Sequence, residues 1–149
     1  MSKKKLCPCC SQKEYDQCCR LFHEGKLPMR PLELMRSRYS AYALNFPDYI
    51  METTHPANPY YSKDTLSWRR SISEFSKSSS FEKLEILATS EKEATVTFTA
   101  YIIQDSKDLS FTEKVILKKW VADGSIAMVN CLRGARSYPN KFMLIFDFS

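Results

Sequence analysis

Five cysteines crowd into the thirteen-residue stretch CPCCSQKEYDQCC, residues 7–19. Thiolate sulfur is a strong ligand for zinc, which takes four ligands in a tetrahedron at about 2.3 Å. A C-x-C pair and a C-C pair, separated by eight residues, can supply four such ligands with one cysteine left over. The spacing is tighter than in common zinc knuckles, and the alternative is a group of free thiols. We therefore expect a metal site near the N-terminus.

The compartment affects how these cysteines are interpreted. The basic start MSKKKL leads into cysteines rather than into an apolar stretch, which argues against a secretory signal. No apolar run approaches the roughly 20 residues of a membrane span. We therefore expect a cytoplasmic, reducing environment, in which clustered cysteines hold a metal more often than they form disulfides. Near neighbours such as Cys18 and Cys19 are also too close in sequence for an unstrained disulfide.

Composition and charge narrow the class of protein. The chain has 149 residues, of which 44% are hydrophobic and 26% charged, as is typical of one globular domain with a real core. The net charge is +5, and Lys3, Lys4 and Lys5 precede the cysteines while Lys13 lies among them. These lysines either offset the negative charge of metal-bound thiolates or form a basic patch for an acidic protein surface, lipid headgroups or RNA. Without an aromatic RNA-binding motif or a helix-turn-helix pattern, we expect no sequence-specific nucleic-acid binding.

Three helical segments follow the cysteines. Residues 31–46, PLELMRSRYSAYALNF, place apolar side chains at helical spacing, with Pro31 in the first turn. The segment FPDYIMETTHP predicts a short helix that begins at Pro47 and stops before Pro56. The segment SKDTLSWRRSISEFSKS predicts a third helix, with Ser62 as its N-cap.

Strands are predicted after the serines at residues 78–80. Residues 93–103, EATVTFTAYII, alternate between apolar and polar side chains. Further strand candidates are LSFTEKVILKKW, DGSIAMVNC after a hairpin turn at Asp123–Gly124, FEKLEIL and KFMLIFDF. Helices followed by antiparallel strands indicate an α+β fold. Because three helices cannot cover both faces of a flat sheet of this size, we expect a cone in which a strongly curved sheet wraps around them.

The cysteine stretch resembles the SEC-C motif, a small zinc knuckle named for the C-terminus of the SecA translocase. The motif reads roughly C-P-C-G-S-G-K-K-Y-K-x-C-[CH]. The resemblance implies that one zinc ion is bound by four residues: Cys7, Cys9, Cys18 and Cys19. Cys10 stands where the motif has glycine, so we expect a turn with positive φ there and a thiol that points away from the metal. His23 lies four residues past the last cysteine and does not fit the motif.

Two further segments, LMRSRYSAY at residues 34–42 and DYIMETTHP at residues 48–56, resemble the signature of the YchJ family. Members of that family join a SEC-C knuckle to a cone-shaped domain of the nuclear-transport-factor-2 and ketosteroid-isomerase type. Together the two resemblances span nearly the whole chain. They imply a zinc knuckle in residues 1–25 and a cone-shaped α+β domain in residues 26–149.

The function that we favour is a zinc-binding accessory or interaction protein that docks onto a protein partner through the knuckle. The similar knuckle of SecA docks onto a chaperone and onto anionic surfaces, and the resemblance implies a comparable role here. Cones of this type often pair through the open face of the sheet, so we also consider a homodimer through the sheet. A redox role for Cys10 or Cys131 is left open.

The alternative function is a small-molecule enzyme or binder that uses acid–base chemistry in the cone cavity, as relatives of the fold do. Its candidate residues come from the two signature segments: Arg36, Arg38, Tyr39, Asp48 and His55. Each side chain also has a structural interpretation, because the arginines can form a solvated face, the tyrosine lies on the apolar stripe and the histidine can cap the second helix. The sequence shows no adjacent acid–base pair that would decide between the two functions.

Overall fold

The computed structural model describes residues 4–54, 56, 61–122 and 125–130, with side chains up to residue 115. After a single 3-10 turn at Tyr15–Gln17 the helices are α1 (Cys19–His23), α2 (Pro31–Leu44), α3 (Pro47–Glu52) and α4 (Thr65–Ser78). The strands are β1 (Ser79–Ser90), β2 (Thr95–Gln104), β3 (Lys107–Asp108), β4 (Phe111–Ala122) and β5 (Ser125–Asn130). No helix in this described part of the chain is long and apolar enough to cross a membrane.

The central helix α2 is buried on most sides. Pro31 lies in its first turn, as predicted, because a proline there gives up an N–H that has no partner inside the helix. The helix ends two residues before the predicted boundary at residue 46. Asn45 adopts a left-handed conformation with φ of 59°, and its N–H donates to the carbonyls of Ala41 and Tyr42. Asparagine tolerates this conformation well, so it ends the helix.

The predictions of α3 and α4 hold, with a correction to the N-cap of α4. Helix α3 begins at Pro47, as predicted. The prediction of Ser62 as the N-cap of α4 was wrong, because the Asp64 carboxylate accepts a hydrogen bond from the Ser67 N–H at 3.2 Å. The Ser62 hydroxyl instead accepts from the Asp64 N–H at 3.1 Å and so fixes the capping residue. Aspartate and serine both cap helices well, and the sequence pattern alone did not separate them.

The sheet is antiparallel, with the order β1-β2-β4-β5 and the short β3 also paired to β2. Residues 111–116 of β4 pair with β2, whereas residues 117–122 pair with β5, so the two halves of one strand serve different neighbours. Strand β1 has register shifts at Phe81/Lys83 and at Ile86/Ala88. Such bulges bend a strand and increase its twist. The predicted α+β class with a curved antiparallel sheet is confirmed.

The core lies between the sheet and helices α2 to α4. The predicted alternation of β2 is confirmed, because its inward side chains are all buried: Val96, Phe98, Ala100 and Ile102. They belong to one apolar cluster with residues of the helices, in which the rings of Tyr42 and Phe75 meet edge to face at 5.9 Å. The turn predicted at Asp123–Gly124 and the strand predicted at residues 141–148 lie outside the described residues.

Candidate metal centre

A short antiparallel ribbon holds the first two cysteines of the motif. The Cys7 N–H donates to the Lys13 carbonyl at 2.8 Å, and the Tyr15 N–H donates to the Lys5 carbonyl at 3.0 Å. The Cys10 N–H closes the turn between the two sides by donating to the Cys7 carbonyl at 3.2 Å. Cys7 and Cys9 therefore lie on a backbone that is fixed by its own hydrogen bonds.

The second pair of cysteines lies where α1 begins. The 3-10 turn that starts at Tyr15 precedes it, and Cys18 is the residue immediately before the helix. Cys19 is the first residue of α1, and its side chain is buried. The start of the helix thus turns both thiols toward the ribbon.

The four sulfur atoms of Cys7, Cys9, Cys18 and Cys19 all lie within 4.8 Å of one another. The Sγ atoms of Cys9 and Cys18 are 3.6 Å apart, and those of Cys18 and Cys19 are 3.9 Å apart. A tetrahedron with sulfur at about 2.3 Å from its centre has edges of about 3.8 Å. The donor set and its spacing therefore fit one tetrahedral metal ion.

Crowding the thiols together changes their acidity. Contact with the Cys19 thiol lowers the pKa of Cys9 far below its ordinary value, while contacts with Cys7 and Cys9 raise the pKa of Cys19. These opposite directions mean that the group shares protons among its sulfurs, since adjacent thiolates repel one another. A divalent cation replaces such protons when it binds, which is why thiolate sites release protons on metal binding.

Ser11 supports the site from the turn. Its hydroxyl lies 3.2 Å from the Cys18 sulfur and accepts a hydrogen bond from the Lys13 N–H, also at 3.2 Å. Cys18 is half-buried, whereas the other three clustered thiols are buried. The hydroxyl therefore contacts the most accessible of the four sulfurs.

Cys10 is turned away from the cluster. Its φ of 64° confirms the positive φ expected at this position. Its sulfur lies 3.5 Å from the Pro8 carbonyl and accepts a hydrogen bond from the Leu84 N–H of β1 at 3.4 Å. In the described part of the sheet, β1 is an outer strand. The fifth thiol therefore contacts the cone and is not part of the four-sulfur cluster.

His23 connects the knuckle to the cone, a role that the sequence did not suggest. Its Nε2 lies 2.8 Å from the Ser37 carbonyl, and its Nδ1 lies 2.8 Å from the Tyr15 hydroxyl. A carbonyl only accepts, so Nε2 carries the proton and Tyr15 donates to Nδ1. Burial lowers the pKa of His23, and edge-to-face contacts with Phe46 and Tyr49 enclose the ring. In the sequence, the one feature that pointed toward this contact was Tyr15, the tyrosine of the motif, because its hydroxyl can donate to a histidine ring.

Arg36 makes a second connection. Its Nη1 donates to the Cys9 carbonyl at 2.6 Å, so this candidate for the cone cavity points to the knuckle instead. Arg36 also lines a cleft of about 520 Å³ between the knuckle, α2 and the turn after β1. Helix α2 therefore supports the backbone of one clustered cysteine.

The other cavity candidates lie elsewhere. Arg38 is buried and donates from Nη1 to the carbonyl of Ile50 and to the hydroxyls of Thr53 and Thr54, which ties α2 to the end of α3. Tyr39 is buried, and its ring meets that of Phe81 edge to face at 5.8 Å. Asp48 is exposed and forms an ion pair with Arg69 at 2.8 Å. His55 lies outside the described residues, and the four described candidates do not converge on one pocket.

Comparison with known proteins identifies relatives of this chain. The family model described as "YchJ, middle NTF2-like domain" matches residues 30–123. A UPF0225 protein of Vibrio parahaemolyticus is 34% identical over 113 residues, which cover 72% of this chain and 64% of that protein. A UPF0225 protein of Actinobacillus succinogenes is 31% identical over 144 residues, covering 87% of this chain and 90% of that protein. The match to the Vibrio relative thus spans slightly less than two thirds of its length.

Two solved structures share the fold. A SEC-C motif containing protein from Rhodopseudomonas palustris superposes with a TM-score of 0.62 at 32% identity, covering 83% of this chain and 94% of the other. A SEC-C motif containing protein from Psychrobacter arcticus superposes with a TM-score of 0.65 at 25% identity, covering 88% and 82% of the two chains. Both proteins carry in their descriptions the motif that the cysteine stretch resembles.

Proposed function

Because the chain belongs to the YchJ family, whose middle domain has the NTF2-like fold, we propose that it is a cytoplasmic zinc-binding accessory protein that docks onto a protein partner. In this proposal residues 1–25 form the zinc knuckle that makes the contact, and residues 26–149 form the cone that carries it.

The single observation that supports zinc most strongly is the cluster of four thiols. All four donors are sulfur, and a tetrahedral all-thiolate set is typical of structural zinc and of iron–sulfur proteins. Four protein ligands leave no open position for a substrate, so the ion would stabilise the knuckle rather than catalyse a reaction. The backbone hydrogen bonds of the ribbon and the Ser11 hydroxyl would hold the sulfurs in place.

The metal content of five single Cys→Ser variants tests this assignment. The purified full chain is expected to carry about one equivalent of zinc by elemental analysis. Substitution of any of the proposed ligands should deplete the metal: Cys7, Cys9, Cys18 or Cys19. Cys10→Ser is the matched control and should keep its full equivalent. Iron in place of zinc, or a zinc-depleted Cys10→Ser protein, would contradict the assignment.

The exposed surface of the knuckle supports docking. Lys5 and Lys13 are exposed, and Lys4 makes only an exposed ion pair with Glu14 at 3.6 Å. Leu6 is 61% exposed, so the same small unit presents both apolar and basic groups. A knuckle of this size has too few apolar residues for a core of its own, and a bound metal would give this surface a fixed shape.

Affinity capture with paired variants tests the docking role. The full chain and a Cys18→Ser/Cys19→Ser variant are each used to capture binding proteins, with Cys10→Ser as the control that keeps the metal. A direct partner should be retained by the full chain and by Cys10→Ser, and should be lost with the double variant. The captured protein is then purified and its binding measured with the isolated components. An unchanged set of partners across all three proteins would contradict docking through the knuckle.

A further inference from the structure

The cleft between the knuckle and the cone has the size of a binding site. Its volume is about 520 Å³, within the range of about 300–1,000 Å³ that is usual for ligand pockets. One wall comes from the knuckle, including Lys13 and Phe22, and the other comes from α2, including Leu32 and Arg36. Lys26 lies on the segment that joins the two walls. The cleft therefore exists only where the knuckle is folded against α2.

Four cations and two carboxylates line the cleft beside the sulfurs of Cys18 and Cys19, and three of the cations make no ion pair in the described part of the chain. Within the described residues, Lys13, Lys26 and Arg36 make no ion pair. Two carboxylates also line the cleft, but Glu33 and Glu91 both lie near Arg30, at 3.9 and 3.3 Å. Three cations thus remain for a ligand.

Within the described residues no hydrogen bond joins Lys13, Lys26 or Arg36 to a clustered sulfur. The Cys18 sulfur, which lines the cleft, is contacted by the Ser11 hydroxyl, and Arg36 donates to the Cys9 carbonyl rather than to a sulfur. Lys26 holds its ammonium group 5.5 Å above the centre of the Phe22 ring. A cation over an aromatic face remains available to an anion that approaches from the solvent.

Apolar side chains accompany the charges. Phe22 and Leu32 are half-buried in the lining, and Leu21 is 44% exposed at the same surface. Small-molecule pockets usually enclose their ligand around a few convergent polar groups. Here Lys13 and Lys26 are exposed, and the three cations are distributed over the knuckle, the joining segment and α2. This arrangement suits an extended ligand better than a compact one.

We propose that this cleft binds a short peptide segment of the docking partner, in which an acidic side chain stands next to large apolar side chains. The inference rests on the proposed docking function and adds the place and the chemistry of the contact. A carboxylate would meet Lys13, Lys26 and Arg36, and the apolar side chains would lie against Phe22 and Leu32. Charge complementarity of this kind steers association and selects the partner.

Binding of defined peptides to the metal-loaded full chain tests the proposal. The probe is a blocked tripeptide of leucine, phenylalanine and aspartate, and its control carries asparagine in place of aspartate. Titration is followed by NMR shifts of backbone amides. The acidic peptide should shift amides of the cleft, and the asparagine peptide should bind at least about fivefold more weakly. Equal binding of the two peptides, or no binding of either, would overturn the proposal.

Variants locate the site. Lys26→Gln should weaken the acidic peptide by about twofold to fivefold, as loss of an exposed charge contact does. Lys77→Gln in α4 changes an exposed lysine outside the cleft lining and should have no effect. Arg36→Gln should also weaken binding, and its metal content is measured because the Cys9 carbonyl loses a donor. Equal weakening by Lys26→Gln and Lys77→Gln would overturn the assignment.

Two further readouts separate this inference from the function on which it rests. If phenylacetate alone shifts the same amides as strongly as the peptide, the occupant is a small acid and the peptide proposal fails. If the peptides do not bind while the knuckle still captures its partner in a metal-dependent manner, the cleft assignment fails and the docking function stands. If the metal-dependent capture itself fails, the proposed docking function is wrong, and the cleft proposal, which rests on it, is wrong as well.

Discussion

At the scale of single residues, the turn of the knuckle carries two side chains where the SEC-C motif has glycine. Cys10 and Gln12 both adopt positive φ, 64° and 70°. Residues with a β-carbon pay roughly 1–2 kcal/mol for this conformation. Cys10 gains a contact with β1 in return, whereas Gln12 is exposed and donates no side-chain hydrogen bond in the described structure. Glycine at position 10 would relieve the strain but lose the contact with β1, whereas glycine at position 12 would relieve the strain without losing a contact of this kind.

Gln12→Gly should strengthen metal binding. Glycine removes the strain of the left-handed conformation but adds backbone freedom to the unfolded knuckle, which leaves a net gain of about 0.5–1 kcal/mol. In the proposed function the knuckle folds with a bound zinc ion, so this gain should appear as about twofold to fivefold tighter zinc binding in competition with a chelator. Gln12→Ala keeps the β-carbon and is the matched control. A variant with glycine that binds zinc more weakly than the parent would contradict this account.

His23 should make stability depend on pH. Burial lowers its pKa in the folded protein, so the unfolded chain binds the proton more readily. The stability that neutral His23 contributes is therefore present above about pH 6.5, the ordinary value, and is lost as the pH falls below it. The groups that face the ring supply no carboxylate: Tyr15, Ser37, Ser40, Phe46 and Tyr49. The negative charge of the Cys9 sulfur acts in the opposite direction and raises the pKa of His23, but burial is the larger effect.

Urea unfolding of the full chain at pH 7.5 and pH 5.5 measures this dependence. His23→Gln cannot be protonated and should reduce the difference between the two pH values, while any contribution from the thiolates remains in both proteins. The same pH difference in the parent and the variant would show that His23 does not titrate in this range.

At the scale of elements, the ends of helices were harder to predict than the helices themselves. Apolar spacing and proline correctly indicated α2 and α3, because both signals lie within the element. Asn45 and Asp64 fix boundaries through hydrogen bonds with particular backbone groups, and these bonds depend on local geometry that apolar spacing does not describe. The alternation of apolar and polar side chains was sufficient to predict β2, because side chains of a strand alternate between the two faces of a sheet whichever strand it pairs with.

Asp64→Ala should destabilise the cone through α4. Its carboxylate accepts from the Ser67 N–H, and loss of an N-cap costs about 1 kcal/mol. For a domain of this size, that cost lowers the midpoint of thermal unfolding by about 2–4 °C. Ser62→Ala removes only the hydrogen bond to the capping residue and should cost less. An effect of Ser62→Ala as large as that of Asp64→Ala would restore Ser62 as the cap.

At the scale of the whole molecule, the motif residues could be placed but the connections between knuckle and cone could not. The SEC-C resemblance indicated the four clustered cysteines and the odd position of Cys10. It did not indicate that His23 reaches Ser37 or that Arg36 reaches Cys9, because each pair joins residues that only the folded chain brings together. The division of the chain into knuckle and cone at residue 25 remains a prediction. The structure identifies the residues that contact each other across it.

Removal of the metal should leave a cooperative cone with reduced stability. Within the described residues, hydrogen bonds of His23, Arg36 and Cys10 join the knuckle to the cone, and the connection made by each of these residues contributes about 1 kcal/mol. Their loss predicts a fall of about 6–12 °C in the unfolding midpoint when a chelator strips the metal. Calorimetry with and without chelator measures this shift. Loss of the entire unfolding transition would mean that the cone cannot fold without the metal-bound knuckle. An unchanged midpoint would mean that the hydrogen bonds between knuckle and cone do not stabilise the cone.

The hydrogen bond between Cys10 and Leu84 has a consequence for proteostasis. Strand β1 is paired with β2 on one side, and in the described structure the knuckle approaches its other side. An uncovered strand offers its backbone groups to a strand of another molecule, and this is a common route to aggregation. In a cell short of metal, or under oxidative attack on the thiols, release of the knuckle would remove the contact with Leu84 that the described structure shows at this side of β1, and so leave more of the strand's backbone open to strand addition.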